Sequence, residues 1–343
     1  MIGRRKLLIG GAAAGACGWT RPNGARLAAD VHRGVCYAHI HHDGLGYGSE
    51  RSREELAKLA AIGVRHVALM PFAYLPALDA PELLTGRGDL SDDAIRREGE
   101  AIRALGMVPV VKPHLWSRGF SAGKYAADIR MRDADGWARF LDAYGGWVEN
   151  QASLAEEIGA GLLVIGTEMT ATALENPGAF AAIAARARAR YRGKLTYAAH
   201  WDREPEAFTD WAALDLIGID AYYPLSSAPD PDRAALADGW RPVVDRLAAL
   251  SEKHGRPVLF TEAGFPAVDG GATTPWAADG RANPELQARA YDALLEAFGG
   301  QSWWAGVYWW KWFTAGPTNG HDESNHDPAG KPAADVLARW YRE

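Results

Sequence analysis

Eight times between residues 34 and 310, a short apolar run gives way to a longer amphipathic segment. The runs lie at 34–38, 64–70, 107–112, 161–165, 195–199, 215–220, 256–260 and 306–310. Apolar runs of this length, bounded by Gly or Pro, read as strands buried on both faces of a parallel sheet. The segments between them carry helical spacing, as Leu56, Leu59 and Ile62 do in 51–62. Further helices are predicted over 91–105, 133–159, 177–192, 204–213, 232–254, 284–299 and from Pro332 to the end. Strands that alternate with helices imply parallel pairing. Eight such units over about 310 residues fit a closed (β/α)8 barrel, a single domain from residue 31 to 343, better than an open doubly wound sheet. No Gly-rich dinucleotide or phosphate loop follows any of the strands.

The two ends of these strands differ in chemistry. The N-terminal ends start at Gly34, Gly63, Gly106, Gly161 and Arg256, whereas the C-terminal ends collect His39, His114, Trp116, Glu168, His200, Trp201, Tyr222, Glu262, Trp309 and Trp310. The longest predicted loops, 71–90, 264–283 and 313–331, are on that same rim, where they can wall a cleft. In a barrel of this kind the C-terminal rim holds the active site. A carboxylate at a buried strand end costs several kcal/mol in desolvation unless it is paired. One glutamate there could serve as a helix cap; Glu168 on the fourth strand and Glu262 on the seventh supply the two carboxylates that glycoside hydrolysis requires. Strict alternation would put Val164, Gly166 and Glu168 on one face, and likewise Phe260 and Glu262, aiming both acids into the barrel mouth. Carboxyls about 5–5.5 Å apart would give retaining chemistry through a covalent glycosyl-enzyme. Tyr222, at the end of the sixth strand, is placed to donate to Glu262 and hold it ionised. Such chemistry needs neither a metal nor an organic cofactor.

A hydrophobic content of 48% with 23% charged residues is that of a globular chain. Residues 1–17 are set apart: Arg4-Arg5-Lys6 precedes an apolar stretch too short to span a bilayer, which has the shape of an export signal. The arginine pair suggests twin-arginine export, and Ala14-Gly15-Ala16-Cys17 resembles a lipoprotein cleavage box in which Cys17 would carry the lipid; plain cleavage nearby would leave a soluble product. Residues 18–30 read as a tether. Cleavage before Cys17 removes Arg4, Arg5 and Lys6 and no acid, so the net charge moves from −6 to −9. That balance excludes nucleic acid and anionic membrane as partners and suits a neutral ligand. Cys36, in the first strand, is expected to be a buried free thiol.

Five motifs carry a resemblance. Lys112-Pro113-His114, Gly166-Thr167-Glu168, Ile219-Asp220-Ala221-Tyr222-Tyr223-Pro224, Thr261-Glu262-Ala263-Gly264 and Tyr308-Trp309-Trp310-Lys311-Trp312 together resemble glycoside hydrolase family 113, in the large clan of retaining (β/α)8 glycoside hydrolases. The resemblance covers nearly the whole chain after residue 30. It implies Glu168 as acid/base, Glu262 as nucleophile, Tyr222 as its support, and a β-1,4-mannan or glucomannan substrate. Most of the clan has Asn before the acid/base; Thr167 stands there instead, a shorter group beside the sugar 2-hydroxyl, compatible with mannose. The clan pattern also implies a Trp under the sugar at the cleavage point. Trp309 and Trp310 face opposite ways on one strand, so one of the two floors the cleft. His114, Trp116, His200 and Trp201 are the other expected sugar contacts, and Lys112 with Asp220 is expected to form a buried orienting pair.

Two rival arrangements use the same fold. In one, His39 and His41, with His200 and Asp322, ligate a metal for hydrolysis. That set also needs a sixth-strand His where Tyr222 stands, and it leaves Glu168 and Glu262 without a role. In the other, the barrel binds sugar without turnover, a task that would tolerate amides at both glutamate positions. A third variant keeps the hydrolase and changes the polymer to β-glucan, galactan or a bacterial surface polysaccharide.

Overall fold

The computed structural model describes residues 27–42, 44–86, 90–121, 123–317 and 323–342. The predicted export segment 1–17 with Cys17, the first part of the tether and Asp322 lie outside the described residues.

Eight parallel strands close into a barrel in the order β1-β10-β9-β8-β7-β6-β4-β2. These are β1 (His32–Ala38), β2 (His66–Leu69), β4 (Val108–Val111), β6 (Leu162–Thr167), β7 (Lys194–His200), β8 (Ile217–Asp220), β9 (Val258–Ala263) and β10 (Trp304–Phe313). Around them run α1 (Glu50–Ala61), α2 (Asp92–Ala104), α3 (Ala134–Glu157), α4 (Thr170–Glu175), α5 (Ala179–Arg188), α6 (Glu204–Ala207), α7 (Arg233–His254), α8 (Pro284–Phe298) and α9 (Pro332–Tyr341). The fold is a single-domain (β/α)8 barrel. Several long helices start on a side chain that accepts a first-turn N–H: Ser49, Ser91, Asp133, Asp232 and Asn283.

The core has two layers. Cys36, Ala68, Val110, Leu162, Val164, Ala198, Leu259 and Tyr308 fill the barrel axis. A larger shell between strands and helices contains Ile165, Tyr197, Phe260, Trp240, Tyr291 and Trp309. Leu27, assigned to the tether by sequence, is buried against this shell, so packing begins before residue 31. Cys36 is a buried free thiol that donates to the Thr261 carbonyl.

Two departures from the predicted elements bear on the rim. Part of 71–90, expected as loop, is β3 (Phe72–Leu75), which pairs in parallel with β5 (His114–Ser117) as a two-stranded extension above the barrel. The predicted helix 177–192 begins only after Gly178, with φ 88, separates it from α4.

Candidate active site

Strict alternation fails at the strand ends, and bulges aim the acids instead. Between Val164 and Thr167 the β6 register against β7 shifts, since Val164 pairs with Thr196 and Thr167 with Ala198. Gly166 therefore faces the helices: a Cβ there would lie 2.7 Å from Phe180 and 2.9 Å from Tyr197. Thr167 and Glu168 turn to the cleft. Glu168 holds φ 50, a left-handed conformation that a non-glycine residue seldom adopts, while its N–H donates to the Ala198 carbonyl at 2.8 Å. On β9 a second register shift, against β8, separates Phe260 from Glu262. Phe260 packs outward on Trp240, Phe298 and Trp304, so it does not share a face with Glu262 as alternation implied. An extra residue in one strand resets the side-chain phase, which is how bulges re-aim a group at a rim.

Glu168 and Glu262 line one cavity of about 270 Å³, together with His114, Thr167, Tyr222 and Trp310. Their surroundings differ. The Lys112 ammonium donates to Glu262 Oε1 at 2.5 Å and the Tyr222 hydroxyl to Oε2 at 2.6 Å. Lys112 also lies 3.6 Å from Asp220 Oδ2, and the Thr261 hydroxyl donates to Asp220 Oδ1 at 2.8 Å. The expected Lys112–Asp220 pair thus exists and extends to Glu262. Burial, with the Glu262 charge next, raises the Asp220 carboxyl to about 8. Glu168 has no such donors: among the described residues its carboxyl makes no side-chain hydrogen bond. Burial first, then the charges of Asp220 and Glu262, push it well above the ordinary carboxylate range. One carboxyl accepts from two donors and the other is shifted toward its protonated form, a contrast of the kind that acid–base chemistry at one bond uses.

The other predicted residues are placed as follows. His114 lines the cavity with Nε2 3.3 Å from Lys112 Nζ; burial and Lys112 keep its imidazole neutral. The Thr167 hydroxyl donates to the Pro113 carbonyl at 3.2 Å and so presents lone pairs to the cavity. Trp310 lines the cavity beside His114, with ring centroids 5.9 Å apart. Trp309 does not reach the cleft. It is fully buried, stacked on Tyr291 at 3.8 Å, with its indole N–H on the Tyr341 hydroxyl. Trp116 is 44% exposed on β5, edge-on to Tyr74 and outside this cavity. His200 and Trp201 line an adjoining cavity of about 490 Å³ on the Glu168 side, shared with Tyr125 and Trp276. A third cavity, about 390 Å³, continues past Tyr125 and His200 to Arg130, Asp202, Arg203 and Glu204.

Three cleft residues come from loops and were missed by sequence. Trp276 stacks on Trp201 at 5.9 Å and stands 53% exposed. His326 faces Tyr222 edge-on and donates to the Pro275 carbonyl at 2.6 Å, tying down the loop that carries Trp276. Tyr125 borders all three cavities. Aromatic residues within the long loops predicted to wall the cleft were the available signal for Trp276; Tyr125 carried none.

The metal arrangement is not assembled as a set: His39 and His41 are adjacent, with ring centroids 4.7 Å apart, but His200 lines a cleft cavity that neither of them borders. His39 is also engaged by the Tyr47 N–H. Among the described residues no group of three or more His, Cys, Asp or Glu side chains is placed to hold a metal ion.

The model of glycoside hydrolase family 113 matches residues 35–329. Among solved structures, the family 113 β-mannanase AaManA from Alicyclobacillus acidocaldarius, in complex with ManMIm, superposes with a TM-score of 0.80 at 27% identity, covering 91% of this chain and 97% of that one. A second family 113 β-1,4-mannanase has the same TM-score at 24% identity, covering 92% and 99%. A β-glucuronidase from Ruminococcus gnavus shares the fold alone, with a TM-score of 0.61 at 16% identity over 90% of this chain and 50% of that one. No curated protein matches the chain. With its matched span running from the first barrel strand to the loop before the last helix, the chain belongs to glycoside hydrolase family 113.

Proposed function

We propose that the protein is a retaining endo-β-1,4-mannanase, hydrolysing mannan or glucomannan by double displacement. The observation that carries this is the contrast between two carboxyls in one cavity: Glu262 held by Lys112 and Tyr222, and Glu168 without side-chain donors among the described residues and shifted by burial toward its protonated form. Glu262 attacks the anomeric carbon while Glu168 gives its proton to the departing glycosidic oxygen. Water, deprotonated by the Glu168 carboxylate, then releases the sugar from Glu262 with its configuration retained. Trp310 floors the cleavage position. Thr167 offers an acceptor to a sugar hydroxyl, and His114, neutral, donates or accepts beside it.

The cleft favours internal cleavage. Because Glu168 protonates the leaving oxygen, the departing sugars extend over its side, along Trp201, Trp276 and Tyr125 and into the cavity beyond His200. A polymer with several leaving-side units can occupy that length. The related mannanases support mannose as the sugar at the level of the family. Export by the N-terminal segment, with lipidation at Cys17 and a monomeric product, completes the proposal. A hydrolysis screen over mannan, glucomannan, β-glucan and galactan, with and without EDTA, tests it. Internal cleavage of mannan that is indifferent to EDTA is expected; activity confined to another polymer, or restored only by a divalent ion, would refute it.

A further inference from the structure

A buried carboxyl that the double displacement does not use stands behind the turn bearing Glu168. Glu204 opens α6 and is 1% exposed. Three donors converge on it: the Tyr197 hydroxyl at 2.5 Å on Oε1, and the Thr170 hydroxyl and the His200 backbone N–H, each at 2.8 Å, on Oε2. Tyr197 in turn accepts the Met169 backbone N–H at 2.8 Å. Met169 and Thr170 are the two residues directly after Glu168, through which the chain passes from φ 50 into α4. A left-handed conformation is strained for a non-glycine residue and persists only where its surroundings over-determine it. Here the surroundings are rigid: Tyr197 is fully buried on β7 and stacked on Phe208 at 4.6 Å with 2° between planes. One carboxyl thus ties the end of β7 to both residues that follow Glu168.

We propose that Glu204 is a positioning residue for Glu168: acting through Tyr197 and Thr170, it fixes the left-handed turn that aims the Glu168 carboxyl into the cleft. This rests on Glu168 being the proton donor. Burial raises the Glu204 carboxyl above its ordinary range, its three donors oppose that shift, and in the ionised form its charge acts in the same sense. Glu168 is faced by Asp220, Glu262 and Lys112 from the barrel axis, by Tyr125 from the loop above and by Glu204 from the β7–α6 side. The acidic members of that set all favour its protonated form.

The test compares Glu204→Gln and Tyr197→Phe with Glu168→Ala on two β-mannosides, one with a dinitrophenyl leaving group and one a manno-oligosaccharide. A misaimed acid matters only where the leaving group needs its proton. Each positioning variant should lose about 10- to 100-fold in kcat/KM on the oligosaccharide, as a displacement of about 1 Å would give; Tyr197→Phe, which lines none of the three cavities, must share the loss, because Glu204 borders the leaving-side cavity and its substitution alone could weaken sugar binding there. On the dinitrophenyl mannoside the loss should stay below about threefold. Glu204→Gln should also move the basic limb of the pH profile downward, since a negative charge beside Glu168 is gone. Equal losses on both substrates, the mark of a merely structural role, or no loss on either, would overturn the proposal. If Glu204→Gln does not fold, Tyr197→Phe and Thr170→Val carry the same comparison. Absence of leaving-group dependence in Glu168→Ala would instead remove the proton-donor assignment, a failure the parallel variant makes separately visible.

Discussion

Glu262 and Glu168 lie in one cavity, yet removing them should have opposite chemical signatures. On the proposed assignment Glu262 is the nucleophile for every substrate, so Glu262→Ala should be almost inactive throughout, and added azide should restore turnover with an inverted product. Glu168→Ala should keep far more activity on an activated aryl mannoside than on polysaccharide, and azide should give a retained product. Exchange of the two patterns would exchange the roles; losses below about tenfold, only some 1.4 kcal/mol of barrier, would disqualify both. The two adjacent tryptophans separate as cleanly. Trp309 packs on Tyr291 and Tyr341, so Trp309→Ala should cost about 3–5 kcal/mol of stability. Trp310→Ala, in the cleft, should raise KM with a smaller change in thermal midpoint. Which of the pair enters the cleft was not legible in sequence, because the answer depends on the phase of β10 at its upper end, and its register against β1 shifts between Val35 and Tyr37.

At the scale of elements, the apolar runs specified the strands closely, from Gly161-Leu162-Leu163-Val164-Ile165 onward, since burial on both faces leaves little choice of residue. Their rims were less legible. Bulges in β6 and β9 insert a residue whose cause is tertiary, such as the approach of Phe180 and Tyr197 to Gly166, and no local pattern announces them. The lower end of the barrel holds a feature that sequence also did not suggest: His32 and His66 stack at 4.3 Å, with His32 on the Tyr308 hydroxyl. Burial lowers His32 to about 3 and His66 to about 4, from an ordinary value of 6.5. Folded-state values below the unfolded one mean that the unfolded chain binds more protons as pH falls. The stability these neutral rings allow is therefore complete above pH 6.5 and is lost as pH drops toward about 4 and then 3. The thermal midpoint should decline over that window, and the decline should be shallower in a His32→Asn, His66→Asn double variant. An equally steep decline in the double variant would mean that other groups control acid unfolding.

Over the whole molecule, the barrel supplies the two carboxyls of the central cavity and the loops supply the length of the cleft. The strand-end residues Glu168, Tyr222 and Glu262 could be placed from sequence because the barrel puts every strand end on one rim. Trp276, His326 and Tyr125 could not, because where a loop folds back is decided by contacts such as His326 on Pro275. The same division predicts that loop substitutions alter chain-length preference and product pattern, whereas strand-end substitutions alter the chemical step. The central claim is a covalent sugar on Glu262, and trapping it is the most direct measurement. With 2-deoxy-2-fluoro-β-mannosyl fluoride, intact-mass analysis should show one fluoromannosyl group per chain, and peptide mapping should place it on Glu262. A label on Glu168 or another residue, or unlabelled protein releasing an inverted product from mannan, would contradict the account.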